Sequence, residues 1–243
     1  MSLPTPLHLK STTHDIKERF DNDVERFSNL ETGQQTTIDA AYNLQLITEG
    51  IAHCYPNLTE VLDLGCGAGN FSLKLAQQYP GFNSTLVDLS EPMIIKAKER
   101  MLPVLDGSIT TIQSDLRTLD LPDNHFDVII ATAVLHHLRD DEDWQSTFAK
   151  IYNWLKPGGS IWIFDLITHD NHQLNHFLYN IKYGTYLSDL KDDHYKNAVF
   201  DYIDKEDSPR SLSYQTALLK QTGFTSVEIL HKHLCFASFV GFK

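Results

Sequence analysis

The chain of 243 residues is short of several things, and each shortage removes a class of explanation. Cysteine is scarce: Cys54, Cys66 and Cys235 lie far apart and form no C-x-x-C, which excludes a disulfide framework and any zinc motif visible from spacing alone. Cation is scarce as well. With 20 Lys and Arg against 32 Asp and Glu the formal net charge is −12, so the chain lacks the basic excess that neutralises a phosphate backbone, and nucleic acid is an unlikely partner. No apolar run approaches the roughly 18 residues of a membrane-spanning helix, and MSLPTPLHLK lacks the charged-then-apolar plan of a secretory leader. These absences predict a cytoplasmic protein with no membrane segment. No internal repeat or low-complexity tract interrupts it.

What is present is a rhythm. Strand-length apolar runs recur at 59–64, 84–89, 108–113, 126–131 and 160–166, separated by segments of helical length. Strands apolar on both faces imply a mostly parallel sheet covered on both sides. A helix follows Asn70, another starts after Ser90 with Pro92 in its first turn, and a third runs from the acidic Asp140–Asp143 cluster to Leu155. SVEIL and CFASFVGF complete the sheet as a terminal hairpin-like pair after a helix from Ser211 that stops at Gly223.

Two segments stand outside this alternation. Residues 15–53 carry two helical patterns, the first placing Phe20, Val24, Phe27 and Leu30 on one side. Residues 167–210 are rich in aromatics, among them Phe177, Tyr179, Tyr183, Tyr186, Tyr195, Phe200 and Tyr202. Both can fold over the strand ends as a lid, or pack as plain core. The expected architecture is therefore α/β: a three-layer sandwich with a seven-stranded, mostly parallel sheet, helices on both faces and an antiparallel last strand. It carries an N-terminal helical cap over 1–54, and the core over 55–243 has a lid insertion at 167–210.

The chemistry gathers where strands end. VLDLGCGAGN at 61–70 gives G-x-G-x-G, with Asn70 where a dinucleotide fingerprint would need its third glycine. Asp63 before the loop would repel a phosphate, so a ligand with a cationic part fits better. Asp88 ends the second strand and can accept from both ribose hydroxyls, or merely neighbour a helix cap. Asp115 follows the third strand and can accept from an adenine amine, or close an Asx-turn. Adenosine plus a cationic amino-acid tail, without phosphate, describes S-adenosylmethionine (SAM).

On these residues the chain resembles the class I SAM-dependent methyltransferases. VLDLGCGAGN is similar to their first motif, LVDLSEPMI to the acidic motif of strand two, QSDLRTLDLPDNHFDVIIATAVLHHL to the region through strand four, and LKPGGSIWI to the turn into strand five. The resemblance implies SAM as cofactor, S-adenosylhomocysteine (SAH) as product, and cofactor contacts from Asp63, Gly65, Cys66, Gly67, Gly69, Asp88, Leu89, Met93, Ser114, Asp115, Leu116 and Ala131. Leu89 and Leu116 would wall the adenine, and Cys66 reads as a packed side chain rather than a nucleophile. His136, His137 and the lid residue Tyr183 are the candidate bases for an acceptor that must lose a proton.

The expected acceptor is a small molecule, and a homodimer is compatible with the sequence. His172 and His176 have metal-pair spacing, but no third ligand is positioned to join them, so no metal is expected. His231 and His233 fall on one strand face toward solvent. The N-terminal ERFDNDVERFSNL resembles the capping helix of the carboxy-SAM synthases, whose pattern lacks this glycine loop. A synthase of that kind, another tRNA-modifying SAM enzyme, and a non-catalytic SAM-binding module stand as alternatives.

Overall fold

The computed structural model describes residues 5–29 and 34–243. Its centre is a seven-stranded sheet in the order β3-β2-β1-β4-β5-β7-β6. The strands are β1 (Glu60–Leu64), β2 (Asn83–Asp88), β3 (Ile109–Gln113), β4 (Phe126–Thr132), β5 (Leu155–Leu166), β6 (Ser226–His233) and β7 (Phe236–Phe242). All neighbours up to β5 pair in parallel, while β7 runs antiparallel to both β5 and β6. This is the expected sheet. The strand order reverses beside β1, and the crevice that opens at such a reversal is where α/β sheets hold ligands.

Strand periodicity splits the core in two. Val61, Leu86, Val128, Ile130 and Trp162 face one side, while Leu62, Leu64, Val87, Ile129, Ile161 and Ile163 face the other. The first side is covered by α3 (Ala40–Cys54), α4 (Asn70–Gln78) and α5 (Glu91–Met101), through Ile47, Ile51, Leu75, Ile94 and Ala97. The second is covered by α6 (Asp141–Trp154) and, after the 167–210 insertion, by the helix Leu212–Thr222, through Trp144, Phe148, Ile151 and Leu219. Ser90 caps α5 by accepting from the Met93 amide, and Asp140 caps α6 by accepting from the Asp143 amide.

The outer segments differ in detail from their sequence pattern. The first amphipathic pattern is two short helices, α1 (Thr13–Asp21) and α2 (Val24–Ser28), broken at Asn22–Asp23. The break folds the chain back, so that Phe20 and Phe27 meet with ring centroids 5.5 Å apart. Leu30 lies outside the described residues. The helix at 40–54 belongs to the sandwich, with Ile47 and Ile51 fully buried, so only the part before it overlies the strand ends.

The 167–210 insertion is helical: α7 (His172–Asn175) leads into a π-helical stretch, His176–Tyr183, then α8 (Gly184–Leu190) and α9 (Asp193–Glu206). Its Tyr179, Tyr183 and Phe200 pack against one another in tilted and edge-on pairs, with ring centroids 5.0–5.9 Å apart. The helix Leu212–Thr222 is α10. β5 begins at Leu155, five residues before the apolar run, because Leu155 pairs with Phe126 and an irregularity then absorbs the Lys156–Gly159 turn before Ser160 pairs with Val128.

Candidate functional site

A cleft of about 1050 Å³, its open mouth included, lies over the carboxyl ends of β1, β2 and β4. Gly65, Cys66 and Gly67 form its floor, and Asp88, Leu89, Met93, Ser114, Asp115 and Leu116 line it from β2, α5 and the loop after β3. Val134, Leu138 and Arg139 come from the loop after β4, and Thr13, Ile16, Phe20 and Phe27 from the N-terminal helices. Phe20 and Phe27 belong to the amphipathic face expected to overlie the strand ends, whereas Thr13 and Ile16 escape sequence reasoning because they lie far from any motif.

The glycine loop is held from below. Asp88 accepts from the Gly67 amide at 2.8 Å through one oxygen and from the Ser90 amide at 2.9 Å through the other, fastening the loop to the start of α5. Burial pushes the Asp88 pKa up, and these backbone donors oppose the rise. Gly67 has φ +50°, and no atom lies within 4 Å of where a Cβ would stand, so the space above it is left for something else. An acid at the mouth of β2, an open backbone and apolar walls from Leu89, Leu116 and Leu138 fit an adenosyl ligand.

Three predicted cofactor residues do not reach the cleft. Asp63 shares its strand face with Val61, so it points under α4, where it accepts from the Ser72 hydroxyl at 2.6 Å. It is 1% exposed, and burial, reinforced by Asp88, pushes its pKa up to about 7 against the opposing Ser72 bond. Gly69, at φ +77°, packs on α5: a Cβ there would stand 2.8 Å from the Ala97 Cβ. Ala131 is buried in β4 on the opposite face, and the next residues, Thr132 and Ala133, line the cleft instead.

Asp115 does line the cleft, but its carboxylate is engaged by Arg117. The Arg117 amide and Nε donate to one oxygen at 2.9 and 3.0 Å, the first closing an Asx-turn, and Nη2 donates to the other at 2.6 Å. Burial works against the ionised form, yet these bonds hold the Asp115 pKa below the usual carboxylate range. Burial raises the Cys66 thiol well above its ordinary pKa, so it is a packed side chain.

Behind the cleft lies a second chamber of about 730 Å³. It shares Phe20, Phe27, Gln34, Ala133 and His137 with the first, and adds Arg19, His136, Asp165, Tyr183, Tyr202 and Asp207. Ala133, at the junction, is a non-glycine residue held at φ 52°, the kind of backbone strain that collects at functional sites. His136 Nδ1 is bonded to buried Asp165 Oδ1, and its amide donates to Asp165 Oδ2 at 3.1 Å. Burial pulls the His136 pKa down, but Asp165 and Asp207 outweigh it and push the value up to about 9.

His137 presents Nδ1 to Asp207 Oδ1 at 3.1 Å, and its ring meets Phe20 edge-on. Tyr183 is buried, its phenol donates to the Thr36 carbonyl at 2.8 Å, and its pKa is raised well above the ordinary value by burial. A base must be able to lose its proton near neutrality, so Tyr183 is geometrically a fastener rather than a base. His231 and His233 do not simply face solvent: both contact Asp39 Oδ2, at 2.8 Å each. His172 and His176 belong to no convergent ligand group among the described residues.

The N-terminal helices are tied to the core and to the 167–210 insertion. Asn70 donates to the Phe27 carbonyl at 2.9 Å, Arg117 to the Thr13 hydroxyl at 2.7 Å, and Arg19 makes a bidentate pair with Glu206 on α9.

Comparison with known proteins agrees with this arrangement. A family model described as a methyltransferase domain matches residues 61–159. The chain is 31% identical over 108 residues to an uncharacterized methyltransferase of Mycobacterium tuberculosis, covering 44% of this chain and 51% of that protein. It is 30% identical over 190 residues to the carboxy-S-adenosyl-L-methionine synthase of Chromohalobacter salexigens, covering 75% and 68%. Among solved structures, a DhpI–SAH complex superposes with a TM-score of 0.63 at 17% identity, covering 94% of this chain and 95% of that one. The chain belongs to the class I SAM-dependent methyltransferase family. It spans about half the length of the first curated relatives it matches. No helix among the described residues is long and apolar enough to cross a membrane.

Proposed function

We propose that this chain catalyses methyl transfer from SAM to a small molecule held in the inner chamber. The observation that carries the reading is the adjacency of the two cavities: the glycine-floored cleft and the chamber share Phe20, Phe27, Gln34, Ala133 and His137 as common lining. When bound, SAM supplies a methyl carbon already activated by its sulfonium leaving group, so orientation and exclusion of water are what the protein must add. Asp88 would hold the ribose hydroxyls, the Gly65–Gly67 backbone the amino-acid end, and Leu89, Met93, Ser114, Asp115 and Leu116 the base.

The chamber admits a metabolite rather than a macromolecule, because α1, α2 and the lid insertion cover it. Phe20, Phe27, Tyr183 and Tyr202 offer flat apolar walls, while His136, His137 and Asp207 face the acceptor from one side. His137 lines both cavities and would face the acceptor at their junction. The test is incubation of the protein with isotopically labelled SAM and a metabolite extract. Label in a small molecule with formation of SAH is expected; label only in RNA or protein would refute the assignment. Mass analysis of the nucleoside product separates the carboxy-SAM synthase reading, since that chemistry leaves a carboxylated sulfonium and no SAH.

A further inference from the structure

In one part of the inner chamber two buried polar atoms are left without a hydrogen bond. Asp207 Oδ1 and His137 Nδ1 are both buried and 3.1 Å apart, yet they are not aligned as a hydrogen bond, and neither has a hydrogen-bond partner among the described residues. Asp207 is 5% exposed and lines the chamber. An unmatched buried carboxylate oxygen is costly unless something else completes it. His136 Nε2 lies 3.8 Å from that same oxygen. Its other nitrogen is bonded to Asp165, whose own oxygens also accept from the His136 and Leu166 amides. A carboxylate that fixes the far nitrogen of a histidine is the usual support behind a metal-ligating imidazole.

We propose that His136, His137 and Asp207 form a divalent metal site facing the acceptor, with Asp165 as the positioning residue behind His136. Three donor atoms within 4.8 Å of one another can close around one ion. Ligands at about 2.0–2.2 Å from a first-row ion stand roughly 3–3.5 Å from each other, so only small side-chain shifts are needed. Two imidazoles and one carboxylate suit zinc, iron, cobalt or manganese rather than magnesium or calcium, and leave positions open on the chamber side. Two cations stand near: Glu206 holds Arg19 in a bidentate pair and Lys10 donates to the Asp204 and Asp207 carbonyls, so neither takes the place of the ion. The sequence shows no metal spacing because Asp207 lies at the far end of the lid insertion from the histidine pair.

The role assigned to the ion rests on the methyltransferase reading: it takes an oxygen of a hydroxylated acceptor as a further ligand and lowers that hydroxyl's pKa, the proton passing to water. The acceptor class is then a small hydroxylated molecule. A second trio, Asp39, His231 and His233, also converges, but its hydrogen bonds are already made and His233 is exposed, so it serves as the control.

The test is titration of chelator-treated protein with Co²⁺ alone, followed by visible d–d absorption, with SAH affinity measured on the same preparations. Wild type and His233→Ala should each bind one equivalent. Asp165→Asn should weaken Co²⁺ binding about 10–100-fold, and Asp207→Ala, checked for folding by circular dichroism, should abolish it. No Co²⁺ binding by wild type, or binding lost in His233→Ala and kept in Asp165→Asn and Asp207→Ala, overturns the site. SAH binding without Co²⁺ binding removes the metal alone, whereas Co²⁺ binding without SAH binding removes the methyltransferase reading.

Discussion

Replacing Asp88 with alanine tests the cofactor cleft most directly, because the structure gives this carboxylate one job and the proposed function gives it a second. One is internal: it accepts from the Gly67 and Ser90 amides and so joins the glycine loop to α5. Charge-assisted bonds of this kind contribute about 1.5–3 kcal/mol each, but burial of the carboxylate, seen in its raised pKa, takes back part of that. A net loss of about 1–3 kcal/mol follows, or a melting temperature lowered by roughly 2–12 °C for a chain of this size. The other job is toward the ribose, where losing the acceptor should cost a further 1–3 kcal/mol or so, about 5- to 150-fold in the Kd for SAH. Asparagine is no rescue, since its amide group would meet one of the two backbone N–H donors head-on. Thermal unfolding without ligand and calorimetric titration with SAH separate the two effects. A folded Asp88→Ala protein with a lowered melting temperature and unchanged SAH affinity would show that Asp88 is only a clamp, and the ribose site would have to be sought elsewhere.

Gly67→Ala should cost about 1–2 kcal/mol of stability from its left-handed backbone and more in SAH affinity, because its Cβ enters open cleft; Gly69→Ala should do the reverse, its Cβ meeting Ala97 at 2.8 Å. Calorimetry paired with melting curves reads both. Asp63 has a folded pKa near 7 against about 3.9 unfolded, so the folded state binds its proton more tightly. That contribution is complete below about pH 4, is lost as pH rises toward 7, and is flat above. Asp63→Asn should therefore gain about 2–3 kcal/mol relative to wild type between pH 5 and 7, seen as a shift in urea midpoints; a pH-independent difference would contradict it. Arg19→Met should destabilise by about 1–3 kcal/mol by leaving Glu206 8% exposed and unpaired, and the double variant with Glu206→Met should recover most of this. Full additivity in that cycle would mean that this pair does not fasten α1 to α9.

The sheet was readable because its strands are apolar on both faces and punctuated by glycine, proline and acid, so neither their existence nor their order depended on distant contacts. β5 was misjudged at its start because Lys156–Gly159 carries turn chemistry, yet the pairing of Leu155 with Phe126 reaches across that turn. The break in the N-terminal helix had no strong local signal: Asn22–Asp23 is weakly helix-averse, and the meeting of Phe20 with Phe27 decides the matter. Asp63 is a different kind of miss. Alternation along β1 puts it on the face of Val61, toward α4, and that parity is legible in EVLDL once the rule that strand ends face the ligand is applied residue by residue.

The inner chamber marks the limit of such reading. His136 and His137 are adjacent, but what gives them chemistry is Asp165, at the end of β5, and Asp207, beyond the helical insertion. Asp165 could have been found by the same strand-end rule that picked out Asp88. Asp207 could not, because its place depends on where α9 ends, and that is set by aromatic packing among Tyr179, Tyr183 and Phe200 together with the Arg19–Glu206 pair. The glycine-floored cleft is thus written locally, in loops that follow strands. The inner chamber is written in packing, so substitutions in the aromatic insertion should alter it while leaving the glycine-floored cleft as it is.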